Sequence, residues 1–386
     1  MPNLYRTSDD LVVSRLEDGK PTKLHLENMN LFASGAFSNV YRGIAILSEG
    51  GGENGKQQEV VVKKTWPRQR GSPLEVRILG KLNRLKHKNI VRLLYSYQKE
   101  HEGKICLALI FEYIPLNLHQ HLRSLNRKID IVEVKLMTWQ LFRGQHHLQR
   151  MEICHRDMKP QNLLYNADTG LLKITDFGSS AFEARKTPQP SYHVTRYYRP
   201  PELLLGSKNY GSEIDIWSCG CIFGELLKGA VFMAGRTSNN QAELIFELLG
   251  QPTSNDLNSM KISDSKYSDI WNSYERTAKG PFPNFDFMIH PTNQTMKDRR
   301  TAVFNNLISQ KDMIESIDLL KKVLVYNPFQ RLSGTDFLMA PYFMQIFHEQ
   351  TVRMNGKRIT CLSGADWQIV KIGDKTVTGE STSDIF

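Results

Sequence analysis

The residues best suited to chemistry in this chain of 386 lie in a few short stretches. His155-Arg156-Asp157 is followed by Lys159 and Asn162, then by Asp176-Phe177-Gly178; Pro200-Pro201-Glu202 and Asp215-Ile216-Trp217-Ser218-Cys219-Gly220 come later. Carboxylates, an amide and cations in one group can move a proton and hold negative charge. Either triplet alone arises often by chance, so the weight rests on several motifs in order. A competing phosphate-binding pattern, Gly50 to Gln57 (GGGENGKQ), fails on context. Its last position is Gln57 where a Ser or Thr would bind magnesium, and a strand is expected where a helix N-terminus should receive phosphate. Cys219 and Cys221 stand two apart on an expected helix, hence on different faces, which argues against a metal pair. The pairs His119/His121 and His146/His147 are expected to be packed or solvent-facing rather than ligands.

Two kinds of element must carry these residues. Lys23 to Ile46 reads as a strand pair joined at Ala33, Ser34, Gly35 and Ala36. Glu49 to Lys56 is a Gly-rich loop, and Val60, Val61 and Val62 form a third strand. Leu74, Val76, Ile78, Leu79, Leu82 and Leu85 have helical spacing, and Ile105 to Ile114 reads as a buried strand stopped by Pro115. Beyond Pro115 the apolar periodicity is helical over 130–150, 213–228, 239–250 and around 312–325. Residues 252–300 read as an insertion of loops and short helices. After about His348 the chain reads as a polar tail, peripheral or disordered, with short apolar stretches near Trp367 and Val377 that could dock.

With 40% hydrophobic and 23% charged residues, the chain is not of a disordered, collagen-like or disulfide-dense class. No apolar run approaches the roughly 18 residues of a membrane span, and MPNLYRTSDD lacks the pattern of a secretion signal. The expectation is an intracellular protein, cytoplasmic or nuclear, with no membrane role. An odd number of cysteines, 5, fits a reducing compartment, which would also leave the glycosylation pattern Asn293-Gln294-Thr295 unused. The net charge of +10 comes from lysines and arginines spread along the chain, so no nucleic-acid partner is expected.

The quoted motifs resemble those of the protein kinases over about residues 23 to 347. The resemblance implies an α+β, bilobal protein kinase fold. It has a small β-rich N-lobe with one main helix (about 23–113) and a larger α-rich C-lobe (about 114–347, insertion about 252–300). Residues 1–22 would be an N-terminal extension and 348–386 a C-terminal tail. The cofactors implied are ATP and Mg2+. In phosphoryl transfer of this class a loose, negatively charged transition state needs positioning and charge neutralisation more than covalent help. On that template Asp157 orients the attacking hydroxyl and accepts its proton, and Lys159 balances charge on the moving phosphoryl group. Asn162 and Asp176 hold the metal through oxygen ligands. Lys63, in VVVKK, matches the lysine that grips nucleotide phosphates, with Glu75 the best candidate for its partner on the helix. The glycine loop departs from the family pattern. After Phe32, the positions Ala33, Gly35 and Ser38, followed by Val40, keep one of three glycines, which puts β-carbons where backbone approaches phosphate. The hinge resembles Phe111-Glu112-Tyr113-Ile114, with Phe111 as gatekeeper and backbone groups of Glu112 and Ile114 facing adenine. Glu202 and Arg331 resemble a buried structural ion pair, and Asp215 is expected to order the catalytic-loop backbone.

The run from Ser191 to Glu202 is similar to the activation segment of the CMGC group. With CHRDMKPQNLL and DFGSS, the chain resembles the glycogen synthase kinase 3 family. Lys159 and Thr195 imply serine/threonine rather than tyrosine acceptors. By resemblance Tyr192 is a phosphotyrosine made by autophosphorylation, with Arg196 and Arg199 as its cationic partners. That family prefers substrates already phosphorylated, bound by three basic residues. Here Arg156 is kept while Leu74 and Ala181 occupy the other two positions. Two lost charge-assisted bonds of roughly 1.5 to 3 kcal/mol each would weaken primed binding by about 10² to 10⁴-fold. Little dependence on priming is expected, unless Arg185 or Lys186 substitutes. Arg6-Thr7-Ser8 faintly resembles the family's inhibitory serine site. The functional expectation is a serine/threonine kinase, with protein substrates and scaffold or docking proteins as partners. The alternative is a pseudokinase or scaffold that keeps the fold for binding, which Lys63, Asp157, Asn162 and Asp176 together disfavour.

Overall fold

A computed structural model describes residues 9–17, 19–35, 38–47, 56–65, 73–101, 104–182, 185, 188–262, 264–277, 285 and 307–372. Arg6-Thr7-Ser8, Ala36, residues 50–55, Lys186, Asn293-Gln294-Thr295 and Val377 lie outside them. The chain divides into two compact units, Met1–Pro115 and Leu116–Phe386.

In the first unit six strands close into a barrel in the order β1-β2-β3-β4-β6-β5. These are β1 Asp9–Arg15, β2 Pro21–Ser34, β3 Ser38–Leu47, β4 Lys56–Thr65, β5 Leu93–His101 and β6 Lys104–Glu112. Val13, Leu24, Leu26, Ala45, Val60, Val62, Ala108 and Ile110 fill its core. Val60 and Val62 lie on one face, which is the alternation a strand requires. Gln57, the last position of the rejected phosphate loop, pairs with Ile46 inside the β3–β4 ladder.

Closure depends on β1, which pairs with β2 from Asp9↔Leu26 to Ser14↔Pro21 and with β5 at Ser14↔Ser96 and Arg15↔Tyr95. The expectation of an extension over residues 1–22 is corrected for 9–15, which are part of the barrel. So short a run, with Val13 inward and Val12 exposed, carries little periodic signal. β5, also absent from the sequence reading, is polar along YSYQKEH for the same reason. A bulge interrupts β2 between Glu27 and Asn30, with Asn28 left-handed at φ 54°. Opposite it, a β-carbon on Gly43 would stand 2.3 Å from Met29 Sδ and 2.8 Å from the Glu27 carbonyl oxygen, so this position requires glycine.

Helix α1, Leu74–Leu85, buries Ile78, Leu79 and Leu82 and ends at Lys86 in the left-handed region. Its first turn carries Glu75.

The second unit is helical around two small β elements. β7 (Leu116–Asn117), β9 (Leu163–Asn166) and β10 (Leu171–Ile174) form one sheet in the order β10-β9-β7; β8 (Ile153–Cys154) pairs with β11 (Ala181–Phe182). Helix α2 (Leu118–Ser124) starts with a reciprocal cap between Asn117 and Gln120. α3 (Ile131–Arg150) starts on an Asp130 cap, α4 spans Pro201–Leu204, and α5 (Glu213–Lys228) is buried from Ile214 onward. α6 (Ser238–Leu249), α7 (Ser254–Ser259), α8 (Asp264–Thr277), α9 (Gln310–Val323), α10 (Gly334–Leu338) and α11 (Gly364–Ile372) follow. α7 and α8 belong to the segment read as an insertion. Tyr267, Trp271 and Tyr274 of α8 surround Phe246 of α6 at 6.3, 5.1 and 5.7 Å between ring centres. The segment read as a peripheral tail packs on this unit through α11: Trp367 lies 5.0 Å from Phe347, and Asp366 pairs with Arg143 of α3.

All five cysteines are free thiols. Among the described residues no helix is long and apolar enough to cross a membrane.

Candidate active site

The loop from His155 to Asn162 is organised by one buried carboxylate. Asp215, in the first turn of α5, accepts from the backbone N–H groups of His155 (2.6 Å) and Arg156 (2.9 Å), as expected for a residue that orders this backbone. Burial raises the Asp215 carboxyl, against the pull of His155 and those two donors. The His155 ring joins the two motif stretches, with Nε2 3.0 Å from the Thr175 carbonyl and Nδ1 accepting from the Asp157 N–H at 3.3 Å. Phe177 meets it edge-on at 5.1 Å. Arg156 and Asp176 are both left-handed, at φ 65° and 64°. Such conformations in non-glycine residues cluster at functional sites.

Asp157 stands at the centre. Its Oδ2 accepts from Lys159 Nζ at 2.6 Å and Asn162 Nδ2 at 3.0 Å, and its Oδ1 from the Thr195 hydroxyl at 2.7 Å. Lys159 also reaches the Thr195 oxygen at 3.3 Å. Asn162 Nδ2 donates a second bond to the Asp157 carbonyl at 2.9 Å, which leaves Oδ1 without a donor among the described residues. The Thr175 N–H donates to the Asn162 carbonyl at 3.0 Å, so Asp176 follows directly on that junction. A carboxylate and an amide oxygen suit a hard cation. Among the described residues no group of three or more His, Cys, Asp or Glu could hold a metal, so such a cation would need further oxygens from a ligand such as a nucleotide phosphate.

In the first unit Lys63 Nζ lies 2.7 Å from Glu75 Oε1, both side chains mostly buried, which makes Glu75 the partner the sequence suggested. In the barrel register Lys63 is opposite Val40 and Leu109, and Ala33 is opposite Val40. The Gly35 N–H donates to the Ser38 carbonyl at 2.9 Å, and Phe32 is exposed. Phe111 is buried on β6; the Glu112 N–H donates to the Arg92 carbonyl, and its carboxylate accepts from the Arg92 N–H. Ile114 is half-buried just past β6.

The cations in and around the activation segment are already engaged. Arg156 donates to the carbonyls of Ser179 (2.5 Å) and Ser180 (3.4 Å) and to Gln189 Oε1 (2.8 Å). Arg185 pairs with Glu213 at 2.5 Å and lies 4.6 Å over the Phe329 ring. Tyr192 is 74% exposed. Arg199 donates to the carbonyls of Tyr192, His193 and Val194, and Arg196 to those of Gly235 and Arg236. Two elements of this region were not foreseen: the Thr195 bond to Asp157, and Glu225, which takes bonds from Tyr198 (2.6 Å) and Arg127 (3.0 Å). Neither has a local signal, because the partners lie far apart in the chain. Glu202 and Arg331 form a two-bond pair at 2.8 and 2.7 Å, and the guanidinium also donates to the carbonyls of Glu213, Val325 and Tyr326.

A β-barrel unit carrying a partly buried Lys–Glu pair and a helical unit carrying this aspartate cluster define a class, and the protein kinase domain family matches residues 27–343. The chain belongs to the protein kinases, in the glycogen synthase kinase 3 family of the CMGC group. It is 33% identical over 272 residues to "Glycogen synthase kinase 1" of Pyricularia oryzae, covering 69% of this chain and 62% of that protein. It is 30% identical over 336 residues to the serine/threonine-protein kinase RIM11/MSD1 of Saccharomyces cerevisiae, covering 86% of this chain and 80% of that protein. The match thus spans less than two thirds of the first relative's length.

Proposed function

We propose that this chain transfers the γ-phosphoryl group of ATP to serine and threonine hydroxyls of protein substrates. The observation that supports this best is the Asp157 carboxylate, held by Lys159, Asn162 and Thr195 in a partly exposed site. In this reading Asp157 orients the acceptor hydroxyl and takes its proton as oxygen attacks phosphorus and ADP leaves. Lys159 offsets the negative charge on the transferring group. Asn162 Oδ1 and Asp176 would hold Mg2+, which when bound neutralises phosphate charge. Lys63, fixed by Glu75, would take nucleotide phosphates. Phe32, Ala33, Gly35, Ser38, Val40, Phe111, Glu112 and Ile114 would face the nucleotide.

The exposed Tyr192 is the proposed autophosphorylation site. Substrates would depend little on a priming phosphate on this reading, because Leu74 and Ala181 replace two of the three basic residues, and Arg156 and Arg185 are already bonded internally. Scaffold or docking proteins would be partners beyond the substrates.

The test is transfer of labelled phosphate from Mg-ATP to a generic basic protein, wild type against Asp157→Asn, with sites mapped by mass spectrometry. Loss of a general base predicts a fall of about 10² to 10⁴-fold without loss of fold. No transfer from folded wild-type protein would favour the scaffold alternative, with Ala33 and Ser38 in the glycine loop as the cause. A primed peptide phosphorylated more than about 100-fold better than its unphosphorylated twin would overturn the reading of Arg156 and Arg185.

A further inference from the structure

We propose that Arg353, in the C-terminal segment, is a positioning residue for the metal-binding pair Asn162 and Asp176, acting through the β9–β10 hairpin. The inference rests on the reading of those two residues as magnesium ligands. The hairpin joins them directly. β9 begins at Leu163, next to Asn162, and β10 ends at Ile174, two residues before Asp176. The Thr175 N–H bond to the Asn162 carbonyl closes its base. A restraint at the far end of so short a ladder thus bears on both ligands, beside the Leu163↔Ile174 pair and the Thr175 bond at its near end.

Arg353 grips that far end. The residue is 3% exposed, and all five of its guanidinium N–H groups have partners. Nη1 donates to the carbonyls of Ala167 and Asp168, each at 3.1 Å, in the turn between the strands. Nη2 donates to the Tyr165 hydroxyl of β9 at 2.8 Å and to Glu133 Oε2 at 3.4 Å, and Nε donates to Glu133 Oε1 at 3.0 Å. Tyr165 completes the triangle by donating to Glu133 Oε2 at 2.7 Å. Glu133 belongs to α3, so the tail, the hairpin and the helix meet in one charged knot.

Two neighbours on the tail reinforce it. Asn355 donates to the Ala167 carbonyl at 3.0 Å, and Lys357 pairs with Asp168 at 2.9 Å. Beside it, Gln140 of α3 donates to the Gly170 carbonyl at 2.8 Å and accepts from the Leu172 N–H at 3.0 Å. A tail that needed only to adhere could bury apolar side chains here at lower desolvation cost. A planar fork instead fixes carbonyl directions, and small displacements of a reacting group can cost about 10²-fold in rate.

The test uses the full chain with Arg353→Met, Arg353→Lys and Tyr165→Phe, the last keeping the fold if the first does not. Hydrogen exchange without nucleotide should speed up at amides 163–175 by about tenfold or more in Arg353→Met, while α5 amides stay unchanged. Mn2+ titration followed by electron paramagnetic resonance, with a non-hydrolysable ATP analogue, should show about three- to tenfold weaker metal affinity. Arg353→Lys and Tyr165→Phe should fall between Arg353→Met and wild type. Unchanged exchange overturns the inference, and so does faster exchange with wild-type metal affinity, because Arg353 would then be structural only. Wild-type protein that binds no metal with the analogue overturns the magnesium reading itself and this inference with it.

Discussion

Asp157 receives a hydroxyl, an amide and an ammonium group, so no one of them alone sets its direction. Thr195 is the one that holds Oδ1, the oxygen left over by Lys159 and Asn162. Thr195→Val keeps the volume and removes that bond, so kcat for a peptide should fall by about tenfold or more, with thermal stability near wild type. Steady-state kinetics beside a melting curve checks this. Asp157, Asn162, Asp176 and Lys63 were legible in the sequence because they sit in compact motifs whose chemistry tolerates few residue types. The Thr195 contact was not, since the two residues are brought together only by the path of the activation segment.

At the scale of elements, the barrel contrasts two glycines. Gly43→Ala would drive a β-carbon into Met29 and the Glu27 carbonyl across the β2 bulge, and should cost about 1 to 3 kcal/mol. Gly35→Ala meets only the Ser38 carbonyl at 3.6 Å among the described residues and should stay within about 0.5 kcal/mol. Urea unfolding of the full chain separates the two. In the second unit Glu202→Gln leaves the Arg331 charge buried without its counter-ion and should cost about 3 to 5 kcal/mol, whereas Glu202→Leu with Arg331→Met should cost much less. Helices such as α3 and α5 were legible from periodicity. β1 and β5 were not, because short strands with one buried side and polar neighbours resemble loops until their partners are known.

For the molecule as a whole, pH acts on the knot that holds the tail. His121 lies 4.6 Å from the Tyr165 ring; burial, with the Arg353 charge adding to it, pushes its imidazole down to about 4 from an ordinary 6.5. The unfolded chain therefore takes up this proton near pH 6.5 and the folded chain only near pH 4. The stability associated with neutral His121 is complete above pH 6.5, falls as pH drops toward 4, and levels off below. His121→Phe should flatten that limb, so unfolding midpoints of wild type and variant should diverge between neutral pH and about pH 5. A constant difference would mean that His121 titrates normally.

What the sequence by itself determined was the class, a protein kinase, and the motifs that carry Lys63, Glu75, Asp157, Asn162 and Asp176. These stand in short strings or on strongly periodic elements, where local chemistry and local geometry agree. Only the tertiary structure decided that residues 9–15 close the barrel and that Arg156, Arg185, Arg196 and Arg199 are bonded within the second unit. It also decided that a polar tail delivers Arg353 to the hairpin between two site residues. Those outcomes depend on strands and charged side chains finding partners that no local pattern announces, and a charged residue in sequence looks the same whether it meets water, a carbonyl or a carboxylate.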